Sequence, residues 1–185
     1  PYYNKPTPAG QIAHYTTIAK AVDIPVVLYN VPGRTGTKMS AETIATLNNV
    51  PNIVAVKEAC GSVDQVTEIL ERCDITVLSG DDGLTLPMIA VGATGVVSVA
   101  ANIVPGDMAA LCRFASQGNY DEARKIHYKL TRLFKTLFIE TNPMPVKAAL
   151  SRMGIIKNAV RLPLVALEGK SLDTLDALLQ RMGII

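Results

Sequence analysis

The chain has no apolar run approaching the ~18 residues a membrane-spanning helix requires, because Gly, Pro, Asn or a charge interrupts every candidate within a strand's length. It also has little excess charge. Eighteen Lys and Arg against sixteen Asp and Glu leave a net charge of +2, with the two signs interspersed. Neither nucleic acid nor a membrane surface is therefore expected as the main partner. Cysteine is scarce: Cys60, Cys73 and Cys112 are odd in number and without CxxC spacing. That excludes a disulfide framework or a zinc site and suits a reducing cytoplasm. Histidine is scarcer still. His14 and His127 lie far apart without a local carboxylate pattern, so no metal site is expected and no cofactor is called for. Internal repeats, low-complexity segments and flexible linkers are missing too. The first residue is not Met, nothing reads as a signal peptide, and Pro1–Asn4 reads as a loop entered from an upstream segment, which suggests an N-terminal truncation.

What is present is apolar and patterned. Hydrophobic residues make up 49% of 185 positions, enough for a substantial core. The spacing predicts a helix over about Gly10–Val22, a strand over Pro25–Tyr29, a helix capped by Ser40 through about Leu47, and a strand over Ile53–Lys57. A helix capped by Ser62 to about Cys73 follows, with Val66, Ile69 and Leu70 on one face. Then come a strand over Ile75–Leu78, a short helix over Leu86–Val91 and a strand over Gly95–Val99. Alternating buried strands and amphipathic helices argue for a parallel sheet with right-handed crossovers. After Val99 the pattern is helical: Asp107–Gln117, Tyr120–Ile139, Pro143–Met153 and Leu172–Met182. In the longest of these, Ile126, Leu130, Leu133 and Leu137 form a stripe of the kind that makes core or a subunit contact.

Four βα units are half of an eight-stranded barrel, in which chemistry gathers where strands end. The fold class expected is α/β, the C-terminal half of a TIM (β/α)8 barrel followed by a C-terminal helical region. Residues 1–100 would form the half-barrel, and 101–185 the final barrel helix and the helical region. Polar residues fall at the strand ends: Tyr29 and Asn30, Lys57 and Glu58, Ser79 to Asp82, Ser98. Lys57 is the most informative, because it closes the apolar run Ile53–Val54–Ala55–Val56. Desolvating an ammonium is costly, and burial favours the neutral amine, a nucleophile able to form a Schiff base with a carbonyl compound. The plain alternative is a lysine whose stem packs while its head reaches water. By period-two alternation Ile53, Ala55 and Lys57 share one face, as do Val27 and Tyr29, so both reactive candidates could point into one barrel mouth. Tyr29 could relay protons, or merely plug the strand end. Arg34 could grip a carboxylate through two charged hydrogen bonds, or be a solvated surface charge.

Taken together, Tyr29-Asn30-Val31-Pro32-Gly33-Arg34-Thr35-Gly36, Lys57-Glu58-Ala59, Ser79-Gly80-Asp81-Asp82 and Asn142-Pro143-Met144-Pro145-Val146-Lys147 resemble the 4-hydroxy-tetrahydrodipicolinate (dihydrodipicolinate) synthase family. The likeness runs through the whole chain in order. It implies that Lys57 forms an imine with pyruvate and that Tyr29 relays protons. The derived enamine would attack L-aspartate 4-semialdehyde, on the way to diaminopimelate and lysine. It further implies that Arg34 binds the semialdehyde carboxylate, that Gly80 lies in a loop lining the pyruvate site, and that the backbone carbonyl of Val97 lines it too. Tyr3 would reach into a neighbouring subunit's active site, which implies a homo-oligomer, a dimer of dimers. The family's first half-barrel, with the paired threonines that hold pyruvate, would precede Pro1. The Lys and Tyr elements are shared with sister pyruvate-dependent aldolases, such as sialic-acid or 2-keto-3-deoxy-sugar lyases. Arg34 argues against that branch, and retention of Lys57, Tyr29 and Arg34 together argues against a non-catalytic barrel paralogue.

Overall fold

A computed structural model describes residues 1–185, which divide into two compact units, Pro1–Val97 and Ser98–Ile185. In the first, α1 (Pro8–Lys20), β1 (Val26–Asn30), α2 (Pro32–Thr35), α3 (Ala41–Leu47), β2 (Ile53–Glu58), α4 (Val63–Arg72), β3 (Thr76–Ser79), α5 (Thr85–Ala90) and β4 (Gly95–Val96) follow in order. The four strands are all parallel and lie in sequence order, β1-β2-β3-β4, so β1 and β4 are edges. The helix starts are set locally. Ser40 Oγ accepts from the Thr43 N–H, Ser62 Oγ from Gln65 and Thr7 Oγ1 from Gly10, each satisfying a donor the helix cannot.

One face of the sheet packs on helices. Leu28, Val56 and Val77 are fully buried, in one cluster with Ile44 and Leu47 of α3, Val66 and Ile69 of α4 and Met88 of α5. The other face is open: Val27 is 48% and Tyr29 44% exposed. Regular alternation along β2 breaks near its start. The register slips between Val26, opposite Ile53, and Val27, opposite Ala55. A residue inserted into one strand reverses the alternation at that point. Ile53 accordingly joins the helix-side cluster with Val56, Val54 is exposed, and only Ala55 and Lys57 retain the expected shared face.

Most elements lie within one to three residues of their expected positions, and three differences have physical causes. The strand expected through Val99 stops at Val96. Although the Val97 N–H still donates to the Ser79 carbonyl, a 3-10 turn at Ala100–Asn102 closes the segment. The loop carrying Arg34 is a single helical turn started by Pro32 and ended by Gly36 at φ 71°, where glycine alone is unstrained. A 3-10 turn at Asp82–Leu84, entered through the Asp81 side chain accepting from the Gly83 N–H, precedes α5.

The second unit holds α6 (Pro105–Ser116), α7 (Tyr120–Thr136), α8 (Met144–Arg152) and α9 (Gly169–Arg181). The stripe of α7 is core. Leu130, Leu133 and Leu137 are fully buried, as are Leu111 of α6 and Leu175 and Leu179 of α9. Lys129 pairs with Asp107 at 2.8 Å, and Arg152 grips Asp176 with two hydrogen bonds of 2.9 and 2.8 Å, tying α7 to α6 and α8 to α9. No helix is long and apolar enough to cross a membrane.

Candidate active site

Parallel pairing sets Tyr29 directly opposite Lys57, and Lys57 opposite Leu78, at the carboxyl ends of three adjacent strands. Period-two geometry then sends the Tyr29 and Lys57 side chains to the same, open face. The Lys57 amine lies 4.0 Å from the centroid of the Tyr29 ring, over its face. For the charged ammonium such a contact is worth about 0.5–1 kcal/mol at an accessible site, and it holds the side chain over the ring. Lys57 is half-buried.

Gly80 has a spatial reason to be glycine. A Cβ there would stand 2.7 Å from Ala59 Cβ, 3.0 Å from Lys57 Cε and 3.2 Å from the Glu58 carbonyl oxygen. The Gly80 N–H donates to that same carbonyl at 2.7 Å, so the backbone runs tight against the lysine stem. Val97 is 45% exposed at the end of the fourth strand. Arg34 closes α2 with its side chain exposed. A cleft of about 220 Å³ runs beside Tyr29, lined also by Gln11, Tyr15, Asn30, Thr35 and Thr37. Lys57 does not line this hollow; it meets Tyr29 at the strand ends instead. Tyr3 is not brought to these residues within the chain: it precedes α1 with 88% of its surface in solvent.

Behind the strand ends, on the helix side, lies a polar pair that the sequence placed at the strand ends but gave no role. Asn30 and Glu58, also paired across the strands, are buried to 2% and 0% exposure. Asn30 Nδ2 donates to Glu58 Oε2 at 2.8 Å, and the Cys60 N–H donates to Oε1 at 2.8 Å. The only legible signal was a carboxylate following Lys57 in a strand otherwise fit for burial. Burial, and after it the hydrogen bond and charge of Glu58, push the Cys60 thiol up to about 11. In the second unit, burial lowers the His127 imidazole below its ordinary value.

A short parallel sheet whose strands follow in sequence order, joined by helices, is the architecture of a partial (β/α)8 barrel. The chain matches the dihydrodipicolinate synthetase family over residues 1–182 and belongs to that family. It is 50% identical over 188 aligned positions to the 4-hydroxy-tetrahydrodipicolinate synthase of Methanosarcina acetivorans, covering all of this chain and 65% of the relative. The crystal structure of dihydrodipicolinate synthase from Aquifex aeolicus superimposes with a TM-score of 0.97 at 45% identity, over 100% of this chain and 64% of that one. A chloride-inhibited dihydrodipicolinate synthase from Acinetobacter baumannii, complexed with pyruvate, matches at a TM-score of 0.97 and 42% identity, over the same shares. The chain thus spans about two thirds of the length of these relatives, a partial barrel followed by C-terminal helices.

Proposed function

We propose that this chain carries the Schiff-base machinery of a 4-hydroxy-tetrahydrodipicolinate synthase, condensing pyruvate with L-aspartate 4-semialdehyde. The observation that carries the reading is the Lys57 amine held 4.0 Å over the Tyr29 ring at paired strand ends. The neutral amine adds to the pyruvate ketone carbon, and loss of water gives an imine. The imine withdraws electrons from the neighbouring methyl group, which gives up a proton to form the enamine. The enamine carbon then attacks the aldehyde carbon of the semialdehyde. Each step moves a proton, and in this reading the phenol of Tyr29, whose ring lies under the amine, carries it. Arg34 supplies a fork for the semialdehyde carboxylate, while Gly80 and Val97 border the space for pyruvate.

In this reading residues 1–100 contribute the half-barrel with the lysine, and 101–185 the final barrel helix and the C-terminal helical region. Tyr3, almost wholly in solvent, is free to enter a neighbouring subunit, which supports a homo-oligomer built as a dimer of dimers. Three free cysteines support a reducing, cytoplasmic setting.

Incubation with pyruvate and borohydride tests the reading. Hydride addition to the imine leaves an N-(1-carboxyethyl) group, and peptide mapping is expected to find it on Lys57. An adduct on Lys38 or Lys147 instead, or none at all, overturns the assignment.

A further inference from the structure

The Lys57–Tyr29 contact sits on the open face of the sheet, while directly behind it a carboxylate is buried among neutral donors. Glu58 is completely inaccessible, yet its bonded partners are the Asn30 amide and the backbone N–H and thiol of Cys60, none of them a cation. Burying a carboxylate in this way is costly, and a well-packed apolar pair would serve the core at least as well. The cost falls at one place, the last residue pair of β1 and β2, immediately after Tyr29 and Lys57. Asn30 is itself held on its far side, since Oδ1 accepts from the Met39 N–H at 3.0 Å and Nδ2 donates to the Met39 carbonyl at 3.2 Å. Gln65 Nε2 donates to that same carbonyl at 3.0 Å. On the other flank the Glu58 carbonyl takes the Gly80 N–H. The side chain of Glu58 therefore joins β1 to the turn after β2, and its backbone joins β2 to the turn after β3.

We infer that Asn30 and Glu58 are positioning residues, a buried clamp that fixes the Lys57 amine over the Tyr29 ring from the opposite face of the sheet. A side chain at a strand end is aimed by the backbone there, and beyond the Tyr29–Lys57 pair the ladder runs out within one further pair, closing on the Ala59 N–H to Asn30 carbonyl bond at 2.9 Å. The clamp supplies further constraint there. In its catalytic consequence the inference rests on the Schiff-base reading, but the geometric claim stands apart from it.

The test uses a reciprocal exchange. Glu58→Gln keeps the shape but turns one acceptor into a donor, leaving either Asn30 Nδ2 or the Cys60 N–H facing another donor. Asn30→Asp combined with Glu58→Gln restores the bond between the two side chains, with the amide now on β2 and the carboxylate on β1, and keeps the Met39 N–H paired; it gives up only the Asn30 donation to the Met39 carbonyl, which Gln65 Nε2 still serves. The geometric readout is the NMR signal of Lys57 after reductive ¹³C-dimethylation of the full chain, assigned as the signal lost in Lys57→Arg. Its ring-current displacement is calibrated by Tyr29→Leu. Glu58→Gln is expected to remove at least about half of the displacement and the double variant to restore it. Borohydride trapping of pyruvate should slow about tenfold to a hundredfold in Glu58→Gln, the scale set by small misplacements of reacting groups, and recover in the double variant. Should Glu58→Gln fail to fold, Asn30→Ser, which leaves the Cys60 N–H on the carboxylate, takes its place with the same expectation. An unchanged displacement in a folded variant overturns the inference, and so does a double variant that regains stability without regaining the displacement. If the displacement behaves as expected while the unmodified chain traps no pyruvate, the Schiff-base reading fails and the clamp stands.

Discussion

The two faces of the sheet in the first unit are built from the same four strands and differ in nearly everything else. On the helix side Leu28, Val56 and Val77 are fully buried, and the polar residues among them, Asn30 and Glu58, are hydrogen-bonded. On the open side Val27 and Tyr29 keep almost half their surface, and the groups with chemistry, Tyr29 and Lys57, face one another. A sheet face that must exclude water can carry reactivity only at great cost. The open face is the one that a complete (β/α)8 barrel turns toward its interior, and such barrels place their chemistry at the carboxyl ends of the strands. The division of labour is therefore that the closed side holds the strand ends and the open side uses them.

The largest expected effect tests the open side. Tyr29→Phe removes one oxygen and keeps the ring under the Lys57 amine. If Tyr29 only plugged the strand end, imine formation and turnover would scarcely change. As the proton carrier its loss should slow them by roughly 10²–10⁴, with the melting temperature almost unmoved. Stopped borohydride trapping over a time course measures the rate, and calorimetry the stability. A full-rate variant would leave the tyrosine as packing.

The next effect sets the two faces side by side within one strand. Leu28→Ala empties a fully buried site among helices α3 and α4 and should cost about 2–5 kcal/mol in denaturant unfolding. Val27→Ala, one residue earlier and half exposed, should cost under about 1 kcal/mol. Equal losses at both positions would mean that the open face is covered in solution.

The contrast also explains what could be read in advance. Where structure is decided within a few residues it was legible. Ser40 and Ser62 cap the helices they were expected to cap, and the alternation of apolar runs yielded four parallel strands in order. Where it depends on a partner strand it was not. Nothing within Ile53–Glu58 announces that the register slips beside Val54 and sends Ile53 to the helix side, because the slip belongs to the β1–β2 pair. The candidate site divides in the same way. Lys57 and Tyr29 stood out because a reactive side chain at the end of an apolar run violates the local pattern. Asn30 and Glu58 follow them with no spacing signature, and their bond across 28 residues exists only once the strands are in register.

A smaller effect concerns Arg34, at the end of α2. Arg34→Ala should leave pyruvate trapping at Lys57 unchanged while weakening use of the semialdehyde about ten- to a hundredfold, the worth of a charged hydrogen bond of roughly 1.5–3 kcal/mol. The comparison needs both measurements on one preparation. An equal fall in pyruvate trapping would place Arg34 with the first substrate, or in the support of its turn.

The smallest effect is read from the closed side through Cys60. Its thiol is held up to about 11 by burial, and after that by the hydrogen bond and charge of Glu58. The thiolate is the species that alkylating reagents attack, so reaction at Cys60 should still be accelerating well above pH 9, where an ordinary cysteine has levelled off. The sign of the linked stability follows. A folded-state value above the unfolded one means that the protonated thiol is favoured by folding. Its contribution is complete below the unfolded value near 9 and is lost as pH rises from there through about 11. Stability measured across that window should decline more steeply in the unmodified chain than in Cys60→Ala. Glu58→Gln removes the second and third causes but not the first, so it should bring the alkylation profile only part of the way back toward an ordinary thiol. A return the whole way would show that the carboxylate, and not burial, dominates behind the strand ends.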